Sequence, residues 1–159
     1  MIIRDYKQVS EIRENYKDKK IIFASGTFDL THAGHVLFFE DCKKYGDILF
    51  VALGSDSICR EYKGSERPIM NEHMRLKMID SLKPVDYTML VRETDFSPEY
   101  TISVAGFPKL FEVLKPDLWV INKDASDISI REKLANEFDI ELKILERTCP
   151  AEFNNISTT

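Results

Sequence analysis

The apolar run at residues 21–24, Ile-Ile-Phe-Ala, passes without interruption into Ser-Gly-Thr-Phe-Asp-Leu-Thr-His-Ala-Gly-His at 25–35, and no other stretch limits the fold as tightly. So short a run reads as a strand buried on both faces, as in a parallel sheet. After the glycine-bearing turn, Val36, Leu37, Phe38, Phe39, Cys42 and Tyr45 continue at helical spacing. The local prediction is therefore strand, tight turn, helix. A helix N-terminus presents unpaired N–H groups and the positive end of the dipole, which together favour an anion, with phosphate the one to expect. Gly26 and Gly34 let the backbone approach a ligand, and His32 and His35 supply donors into the same space.

The rest of the chain extends this pattern. A leading helix is predicted over residues 5–16, within an N-terminal portion of 1–18, with Val9, Ile12 and Tyr16 on one stripe. The helix after the turn runs to about Tyr45 and stops at Gly46; a second buried strand follows at 48–53. Ser55 or Asp56 caps a short helix to Glu61, before a polar loop, YKGSERPI. A helix at 71–82, capped by Asn71, precedes a strand at 87–91. Residues 92–108 read as a long loop, followed by a helix at 109–114, a strand at 118–121, a helix at 128–138 and a strand at 141–145. Repeated strand–helix alternation predicts one α/β domain over 1–159: a doubly wound parallel sheet of about five strands, with ligands at the carboxyl ends of the strands. Residues 146–159 form a polar tail ending in ISTT.

Composition narrows the partners. A net charge of −5 leaves no general footprint for nucleic acid or an anionic membrane. Three cysteines without paired spacing and three histidines without metal-ligand spacing point to a reducing, cytoplasmic setting and no protein-held metal. The start, MIIRDYKQ, has no leader pattern, and no apolar run approaches membrane-spanning length.

With these elements placed, GTFDLTHAGH resembles the signature of the cytidylyltransferase-like nucleotidyltransferases, which share a Rossmann-like fold and a His-x-Gly-His motif. The basic loop KGSERPI, Arg75, the Leu-Lys-Pro-Asp at 114–117 and the final ISTT are similar to successive family landmarks, so the resemblance covers residues 20–159. It implies transfer of a nucleoside monophosphate from CTP or ATP to a phosphorylated small molecule (a sugar, polyol or headgroup phosphate), with release of pyrophosphate, magnesium carried by the triphosphate, and a homodimer. Two subgroups compete. KGxxRPI is similar to heptose-1-phosphate adenylyltransferases, and Arg147, Thr148 and ISTT to glycerol-3-phosphate cytidylyltransferases; CMP is the favoured group and AMP the alternative. The chain departs from the pattern in a longer stretch between Val91 and Leu114, in residues 149–155, and in stopping at Thr159.

A phosphate acceptor has a second pKa of about 6 and needs no strong general base, so charge rather than proton removal is the chemical problem. The resemblance gives His32, His35 and Lys63 the catalytic roles. Gly26, Thr27, Phe28, Gly34, Arg75, Asp124, Arg147, Ser157 and Thr158 would bind nucleotide, and Asp29 and Arg67 the substrate. Competing roles are structural: Asp29 holding the turn, Arg75 facing water, Asp124 capping a helix, Lys63 and Arg67 merely solvated. Two rival functions are a non-catalytic nucleotide-binding regulatory domain and a fragment of a class I aminoacyl-tRNA synthetase. The second is disfavoured by the short acidic chain, which lacks a lysine-rich second signature.

Overall fold

In the computed structural model, residues 1–146 and 153 are described. Six parallel strands form one sheet: β1 (Ile2–Ile3), β2 (Ile21–Gly26), β3 (Ile48–Gly54), β4 (Tyr87–Val91), β5 (Leu118–Asn122) and β6 (Glu141–Leu145). Their spatial order is β1-β4-β3-β2-β5-β6. The expected Rossmann-like α/β fold is present with one strand more than expected. That strand, β1, has only two residues and pairs Ile2 with Thr88 and Ile3 with Met89, too short a segment to show a period of its own.

Strand alternation sorts the core into two layers. Ile21, Phe23, Phe50, Ala52, Val91 and Trp119 face α1 (Tyr6–Asn15), α5 (Phe107–Leu114) and α6 (Ile128–Glu137). Ile22, Ala24, Leu49, Val51, Leu53 and Val120 face α2 (Ala33–Lys43) and α4 (Glu72–Asp80). Both faces being covered, the strands need no polar alternation, which is why β2 and β3 read as continuous apolar runs.

The amino edge of the sheet is latched by carboxylates. Asp47 accepts from Lys20 N at 2.8 Å, Asp86 from Leu49 N at 2.7 Å and Asp117 from Ile21 N at 2.7 Å. The carboxyl edge is left for loops. There β2 pairs with β3 on one side and β5 on the other, while the chain winds outward in opposite directions from this pair. That reversal is the switch point at which doubly wound sheets open a crevice.

Two helix ends and one loop differ from the sequence reading in ways that bear on the site. The short helix α3 (Asp56–Lys63) is capped by the Ser55 side chain and reaches Lys63, so this lysine closes a helix instead of lying in the loop. Helix α5 starts at Phe107, with Pro108 in its first turn, where a missing N–H costs nothing. Residues 92–106 are not structureless: Ser97 N donates to Ala105 O at 2.8 Å, Val104 and Ala105 N–H groups bond to Thr101 O, and Val104 and Ala105 are buried.

Candidate active site

The turn after β2 places both motif histidines at the start of α2. His32 is the N-cap: its Nδ1 accepts from Gly34 N at 3.1 Å, and His35 Nδ1 accepts from the His32 backbone N–H at 3.3 Å. This is a capping box built from imidazoles. Because each Nδ1 is an acceptor, the proton of each neutral ring resides on Nε2. The rings lie 4.0 Å apart between centroids, tilted by 32°. Gly34 is required by the first ring, since a Cβ there would sit 2.9 Å from His32 Cε1. Phe28, with a positive φ of 52°, turns its ring inward against His35 and Phe39. A Cβ on Gly26 would meet that ring at 2.9 Å.

Behind the turn lie two of the expected ligands, and both are committed to the protein. The buried Asp29 carboxylate accepts from Ile69 N at 2.8 Å, Met70 N at 2.9 Å and Arg67 Nη1 at 3.2 Å. Burial alone would raise its pKa; these hydrogen bonds outweigh burial and hold it below the usual carboxylate value. Arg75 is 0% exposed. Its guanidinium donates to Thr27 O at 2.7 Å, Gly54 O at 2.9 Å, Asp56 Oδ1 at 2.8 Å and Met70 O at 3.1 Å. Arg75, expected at the nucleotide, ties the turn after β2 to the end of β3, the start of α3 and the loop before α4. Asp29 likewise anchors the 67–70 loop to the turn, the structural role the sequence offered beside substrate binding.

On the α5 side of the carboxyl edge a cavity of about 360 Å³ opens. Gly26, Thr27, Lys63 and Asp124, all expected at the site, line it. Much of its wall is apolar, from Ile58, Val91, Phe96, Val104 and Phe107. Here the 92–106 segment does its structural work, held close by Gly106, where a Cβ would stand 2.1 Å from Val91. Tyr62 and Ser126, whose hydroxyls are hydrogen-bonded, and Arg131 also line the cavity. The sequence reading missed these three. Arg131 had a signal, because it shares a helical stripe with Ile128, Leu134 and Ala135, an apolar face on which a charge is out of place. The histidines belong to the other side of β2, and Gly26 and Thr27 join the two regions. Arg147, Ser157 and Thr158 lie outside the described residues.

A paired-imidazole helix start at the switch point, next to a lysine-bearing cavity, agrees with a family comparison: residues 23–159 match the family described as cytidylyltransferase-like. The chain belongs to the cytidylyltransferase-like family. It is a nucleotidyltransferase domain. Among curated relatives, the bifunctional protein HldE of Helicobacter pylori (strain ATCC 700392 / 26695) is 35% identical over 138 residues, covering 87% of this chain and 27% of that protein. HldE of Aliarcobacter butzleri (strain RM4018) is 36% identical over 93 residues, 57% of this chain and 20% of that protein. The chain therefore spans about a quarter of the length of the curated relatives it matches. A solved lipopolysaccharide core biosynthesis protein from Thermoplasma volcanium GSS1 superposes with a TM-score of 0.64 at 30% identity, over 82% of this chain and 97% of its own. A pantoate-beta-alanine ligase from Francisella tularensis, TM-score 0.65 at 22% identity over 98% of this chain and 68% of its own, shares the fold alone.

Proposed function

We propose that this nucleotidyltransferase moves AMP from ATP to a sugar phosphate, releasing pyrophosphate. The observation that carries the reading is the imidazole pair fixed at the N-terminus of α2 through both Nδ1 atoms, beside the backbone N–H groups of the helix's first turn. The tail residues Arg147, Ser157 and Thr158 weigh for CTP and CMP; the KGSERPI loop and the HldE relatives weigh for ATP.

Two anions must be brought together, and negative charge grows on the departing pyrophosphate. Preorganised donors lower that barrier without being consumed. His32 and His35, the backbone N–H groups of the first turn of α2, and Lys63 are the groups we assign to it. Thr27 presents backbone at the junction between triphosphate and acceptor, held in place through Arg75. Magnesium, when bound, would screen the phosphates and orient the triphosphate. A magnesium ion held mostly by substrate phosphates is the arrangement we assign.

A homodimer accords with the exposure of Ile69 (62%), Met74 (51%) and Met78 (43%), the methionines one turn apart on α4. A reducing compartment accords with the two buried thiols, Cys42 and Cys59. No helix among the described residues is long and apolar enough to cross a membrane.

The test is pyrophosphate release with magnesium, comparing ATP with CTP against heptose 1-phosphate, other sugar phosphates and glycerol 3-phosphate. Release with ATP and a sugar phosphate is expected. Release with CTP and a polyol phosphate would replace the donor and acceptor. Nucleotide binding without release for any pair would make the protein a binding domain.

A further inference from the structure

Arg131 is a buried arginine whose donors are largely unspent. It is 9% exposed, yet its only hydrogen bond among the described residues runs from Nε to Ser126 O at 2.9 Å. No carboxylate among the described residues reaches it as an ion pair; Asp127 and the Tyr62 hydroxyl face it from farther away. Burial pushes its pKa down, but a guanidinium remains charged at neutral pH. Its plane lies over the Trp119 ring, 5.4 Å from the ring centroid, and its side chain lines the cavity with Lys63, Tyr62 and Ser126. Removing a charge from water is costly unless an opposite charge or a full set of acceptors compensates it. Here the described residues supply one acceptor, and the side chain borders an open cavity.

We propose that Arg131 binds the anionic group of a phosphomonoester, the acceptor of the transfer reaction. This assignment rests on the nucleotidyltransferase reading. Position favours acceptor over triphosphate: the α2 N-terminus and its histidines lie against one face of the sheet, whereas Arg131 packs with Trp119 on the other. The wall of the cavity that Arg131 shares with the Gly26–Thr27 turn includes Val91, Phe96, Val104 and Phe107. Such a wall suits a compact carbon body with one charged group better than a chain of phosphates. Arginine is also the residue whose forked donors match a phosphate's oxygens.

Trp119 is the single tryptophan, so its fluorescence reports on Arg131 directly. The full chain and Arg131→Gln are titrated separately with glucose 1-phosphate, glycerol 3-phosphate, phenyl phosphate, inorganic phosphate and ATP. At least one monoester is expected to change the emission saturably and to bind the variant at least tenfold more weakly. ATP affinity should stay within about twofold. A second measurement uses the unaltered protein: the binding monoester should protect Arg131 from phenylglyoxal, read by peptide mass, and ATP should not. Loss of ATP affinity in the variant, protection by ATP alone, or no monoester binding at all would overturn the assignment. Monoester binding at Arg131 without pyrophosphate release would instead sink the transfer reading and leave an anion site. Intact release with unchanged Arg131→Gln behaviour would sink only the site.

Discussion

Arg75→Met separates a strut from a phosphate ligand. Methionine approximates the stem's volume but offers no donor, so the change strands the carbonyls of Thr27, Gly54 and Met70 and the carboxylate of Asp56 in one step. Breaking a buried ion pair by removing one partner costs about 3–5 kcal/mol. Two features pull this case to the lower end. The Asp56 side chain is 22% exposed and can rehydrate, and Gly54 lies on the cavity wall, where water can enter. We expect a loss of about 3 kcal/mol, or roughly 150-fold in the folding equilibrium. With a urea slope of about 2 kcal/mol per M, the midpoint should fall by about 1.5 M at unchanged slope. Turnover should fall as well, since the freed Thr27 carbonyl no longer positions the turn. Arg75→Lys should give an intermediate loss, because a compact ammonium cannot span acceptors on four separate segments. The opposite pattern, a midpoint near wild type with a raised KM for triphosphate, would show that Arg75 spends its charge on ligand and would refute the reasoning.

Three further perturbations test the turn. His35→Gln should keep stability within about 1 kcal/mol, because glutamine at this position can restore the capping box, while turnover falls roughly 10²–10³-fold; unchanged turnover, measured by pyrophosphate release, would remove His35 from the chemistry. Gly34→Ala should displace the His32 ring, 2.9 Å from the added Cβ, and lower turnover by at least about tenfold, whereas the melting temperature stays close to wild type because alanine gains about 1 kcal/mol of helix propensity. A normal rate would show that the ring's position is not critical. Asp29 has a folded pKa below its unfolded value of about 3.9, so its contribution is complete above that unfolded value and is lost as pH falls through the lower folded one. Asp29→Asn should therefore flatten the acid limb of stability below about pH 4; urea midpoints measured across that range with an unchanged limb would count against the hydrogen-bonded carboxylate.

Most of the fold could be read from period and punctuation because both sheet faces are covered. Residues 21–24 and 48–53 show unbroken apolarity for that reason, and Ser55 and Asn71 mark helix starts by their own chemistry; Gly46 does not cap α2, which ends at Lys43 with Lys44 as its C-cap. The 92–106 segment could not be read, since its buried residues follow no period. Val104 and Ala105 are placed by turn hydrogen bonds to Thr101, and Gly106 by its fit against Val91; those are tertiary facts. Strand β1 failed for a different reason, being only two residues long. At the site, the histidine pair was legible because both its chemistry and its position are local. The roles of Asp29 and Arg75 were not, because each is decided by groups about 20 to 48 residues distant in sequence.

The two buried arginines show what decides such a role. Each lies on a helix, and on sequence alone each reads as a charge facing water or a core defect. Burial does not distinguish them, at 0% and 9% exposed. Hydrogen-bond accounting does. A guanidinium carries five N–H donors. Arg75 makes four hydrogen bonds to the protein, one of them to a carboxylate, so little of its charge remains for a ligand. Among the described residues Arg131 makes one, to a carbonyl, and borders the cavity. A saturated guanidinium fixes the geometry of the turn that the phosphates must meet; an unsaturated one at the cavity wall creates a demand that an anion can satisfy. The same arithmetic describes Asp29, whose carboxylate gives its lone pairs to three donors of the 67–70 loop, while the imidazoles use Nδ1 to hold the helix start. Donors already spent on the protein build this site, and donors still available act in it.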